Sequence, residues 1–275
     1  MGFLFVDRIT AIDSDRARGE LRRAAEGPPI PPWLIIEAVG QLAAWITMVR
    51  TDFVSRPVAA LVGEVRLGIA DVCGPVDLEA RIDRLDGRAV LYTGTARAGD
   101  AELAVLTRCV GPLLPMELFD DPAAVRERVE LLRGNLRPAH ARRDDELPRA
   151  QLAAIGMDSE TARAQLRVPE SAPFFADHFP RRPVYPATLL ADAQNQLALP
   201  LAARALGVEV ERLRPARVSD FKVRSFSPPG QVLELVAEAR PMRDGCAVVA
   251  IAASAEGKRV ASGVLDYRVG AAPAT

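Results

Sequence analysis

The sequence predicts an α+β protein in which one long helix followed by a strand meander occurs twice. Two observations predict it. A helical apolar segment recurs at an offset of 155 residues, PPIPPWLIIEAVGQLA (Pro28–Ala43) against PVYPATLLADAQNQLA (Pro183–Ala198). Each copy is followed by four strand-like apolar runs separated by turn residues.

Pro31 matches Pro186, Glu37 matches Asp192, Gln41 matches Gln196, and Leu42-Ala43 matches Leu197-Ala198. Upstream, Ser14–Arg22 resembles Ser159–Arg167 at an offset of 145, so the first copy lacks ten residues between the two matching blocks. The missing piece corresponds to the neighbourhood of SAPFFADHFP.

Leu34–Val49 and Thr188–Leu206 have the apolar spacing of helices. The first meander is Ala59–Ile69, Val76–Leu85, Ala89–Ala98 and Leu103–Val110, with Asp86-Gly87 and Gly99-Asp100 as hairpin turns. The second is Arg214–Ser225, Gln231–Pro241, Cys246–Ala255 and Arg259–Val269, turning at Asp244-Gly245 and Glu256-Gly257. Between the halves, Asp121-Pro122 reads as a cap and first helical residue for Ala123–Arg133, which stops at Gly134. The charged, poorly periodic Asn135–Pro148 reads as a solvated connector. The expected units are residues 1–112, a linker with a helix at 113–147, and residues 148–275. Pseudo-twofold pairing of the copies would give one continuous sheet backed by two helices.

Composition narrows the function classes. With 275 residues, 49% apolar and 26% charged, the chain is an ordinary globular length and balance. Its 35 basic and 36 acidic residues leave a net charge of -1, which offers no field for nucleic acid. The apolar stretch Trp33–Val49 is interrupted by Glu37 and Gln41, and the N-terminus meets Asp7 and Arg8 at once. Neither a signal peptide nor a membrane span is expected, and a cytoplasmic location is. Cys73, Cys109 and Cys246 are widely spaced, which argues against a disulfide framework or a metal site.

Only two histidines exist. His140, in PAHARR, reads as a surface residue. His178 sits among aromatics and prolines, where a neutral imidazole beside a rigid turn can act as a base near neutral pH. Asp192 follows fourteen residues later inside an apolar helix, and Glu37 holds the equivalent place in the other helix. Desolvation raises a carboxyl pKa and makes a general acid available. A structural role for both carboxylates, bonding backbone across the interface of the halves, is the competing reading.

The segment FFADHFPRRPVYPATLLADAQNQLA resembles the active-site segment of the FabA/FabZ beta-hydroxyacyl-acyl-carrier-protein dehydratases: a phenylalanine-rich approach, His-Phe, a Pro-Val-x-Pro turn, and an acidic helix with Gln one turn on. FLFVDRI and WLIIEAVGQ are similar to the family's opening strand and central helix. The resemblance implies a double hot-dog fold, two tandem units forming an intrachain pseudo-dimer, with His from one unit and the acid from the other. His178 would then work with Glu37. The opposite site would lack a base, because the position 155 residues before His178 holds Arg23, and Asp192 would belong to a vestigial site. The implied reaction is dehydration of a (3R)-hydroxyacyl thioester to a trans-2-enoyl thioester, in fatty-acid or polyketide-type synthesis, by a hydro-lyase with no cofactor. The Ala187 backbone N–H at the helix start would stabilise the thioester oxygen. The family usually has Gly at that place and Met where Tyr185 stands. Gln41, Gln196, Phe179 and Tyr185 are supporting candidates. Acyl carrier protein is the implied partner, with Arg181 and Arg182 as the docking rim. Homo-oligomerisation or a partner subunit is left open. Two other readings compete: a hot-dog acyl thioesterase, and a catalytically decayed acyl-carrier-binding subunit.

Overall fold

The computed structural model describes residues 3–22, 30–68, 74–134 and 150–270. Arg23, Cys73, His140 and the expected connector from Asn135 onward lie outside these residues.

The first half runs β1 (Arg8–Ile12), β2 (Arg16–Leu21), α1 (Pro32–Arg50), β3 (Ser55–Pro57), β4 (Leu61–Leu67), β5 (Val76–Leu85), β6 (Ala89–Ala98) and β7 (Ala101–Pro115). Then comes α2 (Pro122–Arg133). The second half runs β8 (Leu152–Met157), β9 (Thr161–Arg167), α3 (Phe175–His178), α4 (Ala187–Leu206), β10 (Leu213–Val223), β11 (Val232–Arg243), β12 (Cys246–Ala255) and β13 (Lys258–Val269).

One antiparallel sheet has the order β1-β2-β5-β6-β7-β4-β10-β13-β12-β11-β9-β8, with β3 paired to the far end of β7. The order reads the same from both edges: a hairpin, a three-strand meander, then the strand that follows the long helix. The halves meet where β4 pairs with β10, Val65 opposite Val218. Strand alternation explains how one face is covered. In β5, Val76, Leu78, Ala80 and Ile82 are buried while Asp77 and Arg81 are exposed, and β9 repeats this with Ala162, Ala164 and Leu166. α1 packs on β2, β5, β6 and β7, α4 packs on β9 to β13, and the two helices touch each other. Among the described residues α1 is the one helix long and apolar enough to cross a membrane, and most of it is buried inside the protein. Gly94 allows the close approach of α1, since a Cβ there would collide with Val39 Cγ1.

β5, β6 and β12 occupy the residues that their patterns predict. The turns Asp244-Gly245 and Glu256-Gly257 have both residues at positive φ, as two-residue hairpin loops require. The Asp86-Gly87 turn joins β5 to β6 as expected, held by Asp86 Oδ1, which accepts from the Arg88 and Ala89 N–H groups, with Gly87 not at positive φ. Two expectations need correction. FLFVDRI is not a strand throughout: strand pairing starts at Arg8, and Phe3 to Val6 are instead buried in the core. The boundary after Pro112 falls inside β7, because Leu113–Pro115 pair with β3. The segment after β7 then packs on the second half: Phe119 is fully buried against Phe179, ring centroids 4.8 Å apart. Asp121 caps α2 by accepting from the Ala123 and Ala124 N–H groups.

Candidate active site

The His178 turn is built by local bonds. The His178 N–H donates to Phe174 O at 2.9 Å, closing the single helical turn α3. After it, the Arg181 N–H donates to Phe119 O at 3.0 Å, and the Tyr185 N–H donates to Ser227 O at 2.8 Å. The imidazole stacks on Phe179 with centroids 4.1 Å apart, and meets Phe3 edge-on at 5.2 Å. Its Nδ1 is buried without a hydrogen bond of good geometry. Burial above all, reinforced by the positive charge of Arg56, pushes the imidazole pKa down to about 3, against a weaker opposing contribution from the Val184 backbone. The ring is therefore neutral at physiological pH.

Glu37 projects from α1 and is held at both oxygens. Thr188 Oγ1, on α4, donates to Oε2 at 2.7 Å, and Gln41 Nε2 donates to Oε1 at 2.9 Å. Burial raises the Glu37 pKa despite these donors and Arg56, which favour the charged form. Gln41 also donates to Phe3 O at 2.9 Å and accepts from the Phe5 N–H at 2.8 Å. It thereby ties the N-terminal segment to Glu37.

A single cavity of about 140 Å³ is lined by both His178 and Glu37, together with Phe3, Arg56, Tyr185 and Ala187. An apolar chamber adjoins it, sharing Glu37, Tyr92 and Ala187 and ending at Trp33, Leu106 and Phe221. Asp192 lines neither cavity. Gln196 Nε2 donates to it at 3.0 Å, repeating one turn of helix apart the Gln41–Glu37 pair. Ala187 is the first residue of α4, so its N–H has no acceptor within the helix and the dipole reinforces it. Arg181 and Arg182 are exposed and each has a partner within the chain: Arg181 Nη2 donates to Asp121 Oδ2 at 3.0 Å, and Arg182 stacks over Phe226 at 4.6 Å. Among the described residues no three His, Cys, Asp or Glu side chains cluster, and Cys109 and Cys246 are free thiols.

Phe3, Arg56 and Thr188 are site residues that the sequence does not single out. The apolar FLFV start is a signal for Phe3; Arg56 and Thr188 have none, because their partners are 122 and 151 residues away.

The 3-hydroxyacyl-[acyl-carrier-protein] dehydratase FabZ of Streptococcus pneumoniae strain R6 is 31% identical over 116 residues, 42% of this chain and 83% of that protein. The chain belongs to the FabZ-like dehydratase family. The FabZ of Streptococcus thermophilus strain CNRZ 1066 is also 31% identical over 116 residues, 81% of its length. The family model of ApeI-like dehydratases matches residues 154–264 of this FabZ-like chain, which include α3, α4 and His178. Whole-chain likeness is to solved structures. The tesB protein of Mycobacterium avium subs paratuberculosis matches with TM-score 0.60 at 14% identity, covering 95% of each chain. The 12:0-ACP thioesterase of Umbellularia californica matches with TM-score 0.53 at 14% identity, covering 92% of this chain and 94% of that one. These likenesses show that the FabZ-like chain has the hot-dog fold.

Proposed function

We propose that the protein is a (3R)-hydroxyacyl-acyl-carrier-protein dehydratase with one working site per chain, formed between two hot-dog units of an intrachain pseudo-dimer. The observation that carries this reading is the opposite tuning of two groups in one cavity: an imidazole held neutral and a carboxyl whose pKa is raised. Environments that push a base and an acid apart in this way assign their roles.

In the reaction, neutral His178 takes the proton from Cα of the 3-hydroxyacyl thioester. Negative charge develops on the thioester oxygen, where the Ala187 N–H at the helix start stabilises it. The Cα–Cβ double bond forms as the Cβ–O bond breaks. Protonated Glu37 gives its proton to the departing hydroxyl, which leaves as water. His178 is left as imidazolium and Glu37 as carboxylate, and proton return through water restores both. Thr188 and Gln41 stabilise the carboxylate that forms. Asp192, outside the cavity, takes no part. The two units are residues 1–112, extended to Pro115 where β7 ends, and residues 148–275, and Met116–Arg133 fastens one to the other. Acyl carrier protein delivers the substrate. Arg181 and Arg182 are exposed and keep donors free beyond their partners within the chain, so both remain candidates for docking the carrier.

The test is incubation of the pure protein with a 3-hydroxyacyl thioester of acyl carrier protein or pantetheine. Enoyl absorbance without free thiol supports dehydration. Thiol release without enoyl formation would replace it with hydrolysis, the reaction for which the fold's thioesterase neighbours are named. Tight binding of the acyl carrier with neither product would point to a decayed binding subunit.

A further inference from the structure

Arg56 lies in β3, a three-residue strand whose pairing with β7 uses backbone alone. Its guanidinium is packed in an environment poor in counter-charge. Nη2 donates to the main-chain carbonyl of His178 at 3.3 Å, Nη1 approaches Met48 Sδ at 3.4 Å, and the plane lies over the Phe179 ring, 5.1 Å from its centroid. Nε is buried with no hydrogen-bond partner. Among the described residues no carboxylate is within ion-pairing distance. Asp120 contributes opposite charge from further off, but its Oδ2 accepts from Arg128 at 3.3 Å and its Oδ1 from the Asp121 N–H at 2.8 Å. Burial pulls the Arg56 pKa down to about 10, so it stays charged at neutral pH. A half-buried cation with so few partners is costly, and a strand of this size does not require one.

We propose that Arg56 is a positioning residue for His178, gripping its main-chain carbonyl and setting a fixed positive charge beside its imidazole. The grip acts on the peptide that joins His178 to Phe179. It therefore fixes two stacked rings at once, the base and the surface it leans on. The charge disfavours the imidazolium, so the resting ring is neutral and its basicity is lowered. The other titratable groups on this cavity are Glu37 from α1, Tyr92 from β6, Asp177 on α3 itself and Tyr185 from the loop before α4. None of them is a second cation, so a fixed positive charge on the cavity wall comes from Arg56. The inference rests on the dehydratase reading only in taking His178 as the base; the geometry stands without it.

The experiment uses the full chain. With two histidines, its imidazole NMR signals are assigned by comparison with His178→Gln. Arg56→Met, with Arg56→Gln as its substitute should it fail to fold, removes the charge, and Arg56→Lys keeps it. The His178 titration in Arg56→Met is expected to move up by about one pH unit. In Arg56→Lys it stays near that of the unmodified chain, while kcat falls roughly tenfold or more, because the ammonium cannot hold the carbonyl and stack on Phe179 together. A titration in a folded neutral variant that superimposes on the unmodified chain overturns the proposal, as does unimpaired kcat in Arg56→Lys. If the titration shifts but no dehydration is found, the positioning role stands and the functional reading fails. If dehydration is found but the titration does not move, the functional reading stands and the positioning role fails.

Discussion

Thr188 on α4 donates its hydroxyl to Glu37 on α1 across 2.7 Å, joining residues 151 apart in the sequence. The second half thus touches a carboxyl that the first half supplies. Thr188→Val removes a donor that favours the carboxylate, so the Glu37 pKa rises further. The alkaline limb of the kcat profile is expected to move to higher pH, with kcat itself reduced because the carboxyl is held at one oxygen only. A lower kcat with the limb unmoved would mean that another group is the acid.

The two carboxylates give opposite expectations. His178→Gln and Glu37→Gln each lower kcat by about 10²–10⁴-fold, the range for a positioned acid or base. Asp192→Asn stays within about twofold of the unmodified rate, the effect of a substitution remote from the chemistry, about 0.5 kcal/mol. Steady-state rates on a 3-hydroxyacyl thioester decide this. A large loss in Asp192→Asn would assign the acid to the histidine's own half.

Stability should depend on pH from both sides of neutrality. His178 has a pKa of about 3 in the folded chain against an ordinary 6.5. A depressed folded pKa contributes stability above 6.5 that is lost as pH falls from there toward 3. Glu37 has a raised pKa, so its contribution is fully present below 4.5 and is lost as pH rises through the folded value. Thermal melting across pH is expected to show less loss on the acid side in a folded His178→Gln variant. Glu37→Gln is expected to gain Tm at neutral pH relative to the parent, and the gain should vanish near pH 4.5. A parallel pH dependence in all three proteins would contradict the assigned shifts.

Phe119 couples folding to the site. It is fully buried, contacts Phe179 and Phe226, and its carbonyl accepts from the Arg181 N–H. Phe119→Ala leaves a cavity and is expected to lower stability by about 3–5 kcal/mol in denaturant titration. In the fraction that remains folded, kcat should fall while substrate KM changes less, because the turn carrying His178 loses its backing. Unchanged kcat at full occupancy of the fold would separate the segment Met116–Arg133 from the site.

The features legible in the sequence are those written at short range or by repetition. The Gln41–Glu37 and Gln196–Asp192 pairs are four residues apart on helices, so one turn brings them together, and the 155-residue repeat shows that they are equivalent places. Strands β5, β6 and β12 are readable because alternation and turn residues are local. The N-terminal Phe3 to Val6 have the composition of a strand without being one, because their apolar side chains enter the core without a ladder partner.

By itself, then, the sequence determined the helix-and-meander plan, its repetition, and His178, Glu37 and Asp192 as candidate residues. Only the tertiary structure decided which carboxylate shares a cavity with His178. It also decided that Arg56 and Phe3 line that cavity and that Thr188 bonds Glu37. The reason is physical: local patterns record which face of an element is buried. The electrostatic state of a group depends on what the fold packs against that face, and for His178 two of those neighbours, Phe3 and Arg56, come from more than a hundred residues away.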